Sequence, residues 1–223
     1  MRKLFFSAAL LVFISFQGFS QDADYKLGIK VAPILNSSRV VLDDPNWTMT
    51  DGNGSFKLSL GLVVDKTLTD RYILSTGLVY MPKEFELAVA ADPSLDPQPE
   101  FNSSESYKLQ YLQIPATLKL FTNEVKPDVA VYFQLGVAPE IKVYQEVEPG
   151  LDSNEVIAKF APINLPVVLG AGFEYRAGLN TVAFAGFSYQ RGLNNIVNTT
   201  DRTYADELSI RSTTLSRDLG IKF

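Results

Sequence analysis

The sequence predicts an all-β protein: an antiparallel up-and-down transmembrane β-barrel of eight strands. Three observations carry this. Apolar and polar side chains alternate with period two in segments spread along the whole chain after about residue 24, and no apolar period of 3.6 persists beyond two turns. The connections between segments alternate between long and short, as expected when loops lie on one side of a membrane and turns on the other. The apolar sides of the segments carry aromatic residues near their ends, where a membrane strand meets its interfaces.

Export precedes this pattern. Arg2 and Lys3 are followed by the apolar run LFFSAALLVFISF (4–16) and the small residues of GFS (18–20), the layout of a secretory signal peptide. Residues 1–20 are therefore assigned to a signal peptide and 21–223 to a single barrel domain. Loss of Arg2 and Lys3 leaves 18 basic against 25 acidic residues, a formal charge of −7, which argues against nucleic acid as a partner. The chain has no Cys, so a disulfide framework and a lipid-anchoring cysteine are both excluded.

The first segment, YKLGIKVAPIL (25–35), sets Tyr25, Leu27, Ile29, Val31 and Leu35 against Lys26, Gly28, Lys30 and Ala32. FKLSLGLVVD (56–65) sets Phe56, Leu58, Leu60, Leu62 and Val64 against Lys57, Ser59, Gly61 and Asp65. YILSTGLVY (72–80) follows, then YKLQYLQIPATLKL (107–120), where Tyr107, Leu109 and Tyr111 change phase to Leu112, Ile114, Ala116, Leu118 and Leu120. A β-bulge at Tyr111–Leu112 is expected to keep both sets outward. VAVYFQLGVAPEIKV (129–143), INLPVVLGAGFEY (163–175), LNTVAFAGFSYQR (179–191) and residues 211–223 complete the eight. A ten-strand version draws its extra strands from 82–106 and 144–162, with EVIAKFA (155–161) as the best candidate.

Outward apolar faces imply an inward polar one. Eight of the fourteen glycines fall on it, together with Lys26, Lys30, Lys57, Asp65, Gln113, Lys119, Gln134, Glu140, Lys142, Glu174, Gln190, Asp218 and Lys222. Charges in a narrow lumen must pair or stay wet, so a plugged polar network is expected, not an open channel. The aromatic girdles are read as Tyr25, Tyr72, Phe121, Tyr175 and Phe223 at one end, with Phe56, Tyr80, Tyr107 and Tyr189 at the other. Arg217 shares parity with Leu219 and Phe223, and a lipid-facing arginine at mid-depth costs about 2–4 kcal/mol. Either a bulge at Arg217–Asp218 or snorkelling to the rim relieves it. Pro115 and Pro166 each remove a ladder hydrogen bond and are expected at an irregularity and near a rim.

Short motifs in a fixed order carry a resemblance. LGIKV (27–31), YLQIPATLK (111–119), LGAGFEY (169–175), YQRGLNNI (189–196) and the closing LGIKF (219–223) resemble the PorT-like family of outer-membrane β-barrels of Bacteroidota, also labelled "porin family". The resemblance implies an outer-membrane location, and an even strand number with export places both termini on the short-turn, periplasmic side and the long loops outside. It also implies kinship with a subunit of a secretion and gliding machinery. It makes Phe223 part of the signal read by the barrel assembly machinery, with outer-membrane lipid and other envelope proteins as further partners.

Catalysis finds no support. The chain has neither His nor Cys, which removes the commonest general base, the thiol nucleophile and the soft-metal ligands; no cofactor or metal is expected. Trp47 in the first long connection, with Phe85 and Phe101 in the longest (82–106), are the candidate loop contacts. The resulting expectation is a non-enzymatic barrel, structural or accessory to an envelope, surface or secretion complex. The alternatives are a small passive diffusion channel and a loop-mediated surface adhesin.

Overall fold

The computed structural model describes residues 24–41, 47–51, 54–91, 102–148, 157–200 and 208–223. The signal peptide assigned to residues 1–20, and Phe101, lie outside the described residues. Among the described residues, fourteen strands run β1 (Tyr25–Val41), β2 (Trp47–Asp51), β3 (Ser55–Thr69), β4 (Tyr72–Ala91), β5 (Asn102–Gln113), β6 (Ala116–Lys126), β7 (Val129–Val137), β8 (Glu140–Glu148), β9 (Ile157–Phe160), β10 (Ile163–Asn164), β11 (Pro166–Arg176), β12 (Val182–Gly192), β13 (Val197–Thr200) and β14 (Ser209–Lys222). The result is an all-β antiparallel sheet.

The pairings run in series. β1 pairs with β3, and β3 with β4. β4 pairs with β6 near Tyr72 and with β5 from Val79 to Ala90. β5 and β6 pair with β8 and β7 respectively, and these with β10 and β11. β11 pairs with β12, β12 with β14, and β14 with β1. Leu27 and Phe223 exchange both backbone hydrogen bonds at that last seam, at 3.1 and 2.7 Å.

The two faces invert the usual partition. Ile29, Leu60, Leu169, Phe187 and Leu219 are about half exposed, whereas Lys222 and Glu140 are 0 % and Asp65 1 % exposed. In water, burying charges behind exposed leucines is costly. The arrangement is favourable only if the outer solvent is itself apolar, which in turn requires every backbone group on the wall to be paired within the sheet.

Three neighbouring strands are interrupted at one level by prolines. Ile114–Pro115 separates β5 from β6, Ala138–Pro139 separates β7 from β8, and Leu165 precedes Pro166. Proline cannot donate, but its carbonyl still accepts. Ile114 N donates to Pro139 O, and Ala138 N to Pro166 O, both at 2.9 Å, so the break is bridged from strand to strand.

Several expectations are corrected. The long connections are shorter than the sequence suggested: β1 continues to Val41, β4 to Ala91, and β5 begins at Asn102. Tyr107 and Tyr111 do not join an outer set across a bulge. Tyr107, Leu109, Tyr111, Gln113, Thr117 and Lys119 are all buried and share one unbroken parity. The register shift lies on the partner strand, where Gln110 faces Tyr144 and Tyr111 faces Lys142, so Val143 and Tyr144 are both exposed. β14 has no bulge at Arg217, which pairs with Phe187 and is exposed, its guanidinium 5.3 Å from that ring. EVIAKFA does contain a strand, β9, but among the described residues it pairs with β13 in a separate two-stranded sheet.

The turns at the end that holds Tyr25 and Phe223 are tight: Asp70–Arg71, Pro127–Asp128 and 177–181. Asp128 has φ 63°, a left-handed conformation that Asp tolerates and Gly adopts freely. Its 3.8 Å ion pair with Arg176 is more than half exposed and adds little. Asp128→Gly is therefore expected to raise stability slightly, by about 0.5 kcal/mol, read as a higher urea midpoint in lipid vesicles. A lower midpoint would show that the exposed pair outweighs the backbone term.

Candidate functional site

The buried face of the sheet is layered, and register sets the order of its layers. At the end near the termini, a vestibule of about 420 Å³ is lined by Lys26, Arg71, Phe121, Glu124, Glu174 and Arg176.

Above it lies a knot of four charges from four strands. Lys222 Nζ is 2.7 Å from Asp65 Oδ2 and 2.5 Å from Glu174 Oε1. Lys119 Nζ is 2.9 Å from Asp65 Oδ2 and 3.6 Å from Glu174 Oε1. Ser75 donates a further hydrogen bond to Asp65. Two ammonium groups and two carboxylates sum to zero, so the desolvation of each is offset by its neighbours. The Tyr132 and Phe184 rings flank the lysines at 5.3–5.5 Å.

Room for these groups comes from glycine. A Cβ on Gly172 or Gly186 would meet the Tyr132 hydroxyl at 2.6–2.7 Å. A Cβ on Gly220 would strike the Phe184 ring, and one on Gly28 would meet Lys222 Cγ at 2.6 Å. Inward glycines are thus the seats on which large neighbours from adjacent strands lie.

The next layer pairs Lys30 with Asp218 at 3.2 Å, and Ser216 donates to Asp218 at 3.1 Å. A small internal cavity of about 40 Å³ lies here, lined among others by Gln113, Gln134 and Gln190. Higher still, Glu140 accepts from Lys83 at 2.8 Å, Gln113 at 2.9 Å and Asn164 at 2.6 Å, and Gln113 also donates to Gln190 at 2.8 Å. Beyond Glu140 the lumen turns apolar. Phe85, Tyr107, Leu109, Ile157, Phe160, Ile196 and Ile210 form one buried cluster, with Phe160 edge-on to Tyr107 at 5.1 Å and stacked on Phe85 at 6.3 Å. β9 supplies Ile157 and Phe160, and Ile157 N donates to the Tyr107 hydroxyl at 3.0 Å.

Of the polar residues named from sequence, Lys30, Asp65, Lys119, Glu140, Glu174, Asp218 and Lys222 are brought into these contacts. Lys57 instead pairs with Glu84. Lys142 donates to Gln145 at 2.8 Å and to Phe160 O at 2.7 Å. Lys26 lines the vestibule without a carboxylate at ion-pair distance among the described residues.

Three aromatic assignments are corrected. Phe85 is 4 % exposed and belongs to the apolar layer, not to a loop surface. Tyr107 is fully buried and lies in no outer girdle. Phe121 lies against Tyr132, at 5.6 Å between centroids, on the vestibule side. Trp47 is in β2, opposite Ala91 of β4. Lys83 falls in the stretch 82–106 expected as a long connection, although Met81, Lys83 and Phe85 keep the inward parity of Val79.

The sequence holds no His or Cys, and the described residues include no cluster able to hold a metal ion. The buried carboxylates are engaged by lysines.

No curated protein matches the chain by sequence. Among solved structures it is similar to the outer membrane protein OprG from Pseudomonas aeruginosa, with 14% identity, 90% of this chain and 96% of that one covered, and a TM-score of 0.55. It is also similar to Neisserial surface protein A, at 13% identity, 89% and 97% coverage and TM-score 0.46. A third is Ail of Yersinia pestis, at 11%, 90% and 99% coverage and 0.35. The first likeness concerns the fold alone. Residues 19–198, well over half of the sequence, match the family described as "Outer membrane protein beta-barrel domain", and the chain belongs to that family.

Proposed function

We propose that the chain is an eight-stranded transmembrane barrel of the outer membrane with a plugged lumen, serving as a structural or accessory subunit of an envelope or surface complex. In this reading the eight wall positions are β1, β3, β4, β5 with β6, β7 with β8, β10 with β11, β12 and β14. The termini are periplasmic, and the connections at the far end are extracellular. The 1–20 signal peptide delivers residues 21–223 to the periplasm, and Phe223 contributes to recognition by the barrel assembly machinery. The PorT-like motif set supports a place beside secretion or gliding components.

The single observation that carries the reading is the succession of closures along one lumen. The four-charge knot, the Glu140 knot and the apolar layer each fill it. A diffusing solute would have to break paired charges buried from water, which costs several kcal/mol per ion, and then cross a dry aromatic layer.

Planar-bilayer recording on the purified protein is the test. No stepwise conductance above that of the bare bilayer is expected at moderate voltage. A stable, reproducible conductance step would sink the plugged reading and favour the diffusion channel. The accessory role is tested separately by native mass after gentle extraction. A stoichiometric envelope partner is expected; a solitary barrel in detergent would count against it and leave surface binding as the remaining role.

A further inference from the structure

Among the described residues, the buried ion pairs are made by lysine. Those beyond the vestibule use Lys30, Lys83, Lys119 and Lys222, while Arg176 makes exposed pairs with Glu124 and Asp128 at the vestibule. Four arginines instead lie on the outer faces of three adjacent strands: Arg39 on β1, Arg211 and Arg217 on β14, and Arg191 on β12. All four are exposed.

Their placement follows from register. Arg39 is directly opposite Arg211. One outward step toward the termini, Thr213 stands between Ser37 and Arg191. One step further, Leu215 stands between Leu35 and Tyr189, and there the apolar face begins, with Leu35 and Leu215 both 49 % exposed. Arg39, Arg191 and Arg211 therefore form a band on the rim of the apolar face, with two hydroxyl side chains among them.

Like charges directly across an antiparallel pair are destabilising. Among the described residues, Arg39, Arg191 and Arg211 have no carboxylate at ion-pair distance, in a chain whose net charge is −5. A guanidinium presents a planar fork suited to two oxygens of one phosphate, which an ammonium does not. Lysines as point charges make the buried pairs, while these three forks face outward at the edge of the apolar face.

We propose that Arg39, Arg211 and Arg191 form an outward-facing site for the phosphate groups of an outer-leaflet lipid, with Ser37 and Thr213 as supporting donors. The two opposed arginines clamp one phosphate between β1 and β14. Arg191 reaches the same headgroup from β12, and the acyl chains lie along Leu35, Leu215 and Tyr189. This site rests on the outer-membrane barrel reading above.

The test uses the full mature protein, refolded in detergent, with folding checked by the faster migration of the unboiled protein on a gel. Native mass spectrometry then counts bound lipid after addition of a bisphosphorylated lipid A, a monophosphate anionic phospholipid or a zwitterionic phosphatidylcholine. The wild type is expected to retain lipid A at one per barrel. Arg39→Gln with Arg211→Gln is expected to lower that occupancy at least tenfold, with Arg→Lys at both positions restoring only part of it. Arg71→Gln with Arg176→Gln, an equal charge change at the other end, should leave it intact.

Equal loss in both double variants would overturn the site in favour of general charge attraction, and so would full retention in Arg39→Gln/Arg211→Gln. Equal retention of phosphatidylcholine would overturn phosphate recognition. Equal retention of the monophosphate lipid would keep the phosphate site and assign it to phospholipid. Absence of the heat-dependent gel shift in the wild type would sink the barrel reading itself, separately from the site.

Discussion

Gly77→Ala is expected to destabilise the protein by about 2–5 kcal/mol, the sum of overpacking and backbone strain. Gly77 pairs with Val63 and has φ +157°, a conformation L-residues rarely adopt. A methyl group there would land on the backbone carbonyl oxygen of Leu62. Because that obstacle is main chain in a continuous ladder, no side-chain rotation can clear it. Gly178→Ala is the internal control: the nearest heavy atom to its added Cβ is Thr181 Cβ at 3.9 Å, so a change within about 0.5 kcal/mol is expected. Urea titrations of both variants in lipid vesicles read the difference. Similar midpoints for the two would show that the wall flexes enough to absorb a methyl group.

Lys222→Met is expected to cost about 3–5 kcal/mol, the usual loss when one partner of a buried ionic group is removed. The variant leaves Asp65 and Glu174 with Lys119 alone, two carboxylates sharing one ammonium in a site where Lys222 is 0 % exposed. Methionine preserves much of the side-chain length, so the loss is electrostatic more than steric. Adding Glu174→Gln restores neutrality and is expected to recover at least half of the loss, because residues in one network do not add independently. The comparison of single and double variants by urea unfolding decides the matter. Simple additivity would mean that the four groups are held by the wall and not by one another.

How much was legible depended on which face carried the signal. β1, β3, β11 and β14 were readable because their outer faces are apolar and their inner faces polar or glycine, a contrast period two exposes directly. The region around β4 and β5 was not, because there the inner face is apolar as well. Met81, Phe85, Tyr107, Leu109 and Tyr111 look like an outer set when read alone, and Pro82 disguised the continuation of β4. Parity gave the inward position of Asp65, Lys119, Glu174 and Lys222. It could not give their partnership, which depends on the stagger of strands far apart in sequence. The outward arginines were readable only singly, as with Arg217. Their neighbourhood exists only after β1, β14 and β12 are in register.

The seam between β1 and β14 has a temporal meaning as well as a spatial one. It joins residues nearly two hundred positions apart, Gly28 with Lys222 and Val31 with Leu219, so loop-closure entropy makes it a late event in assembly. The residue that completes the charge knot is Lys222, and its neighbour Phe223 makes the bonds that fasten the seam to Leu27. Asp65, Glu174 and Lys119 thus remain without their fourth member until β14 pairs with β1. In the proposed barrel, closing the wall and completing the charge knot become one cooperative step, carried by Lys222 and Phe223.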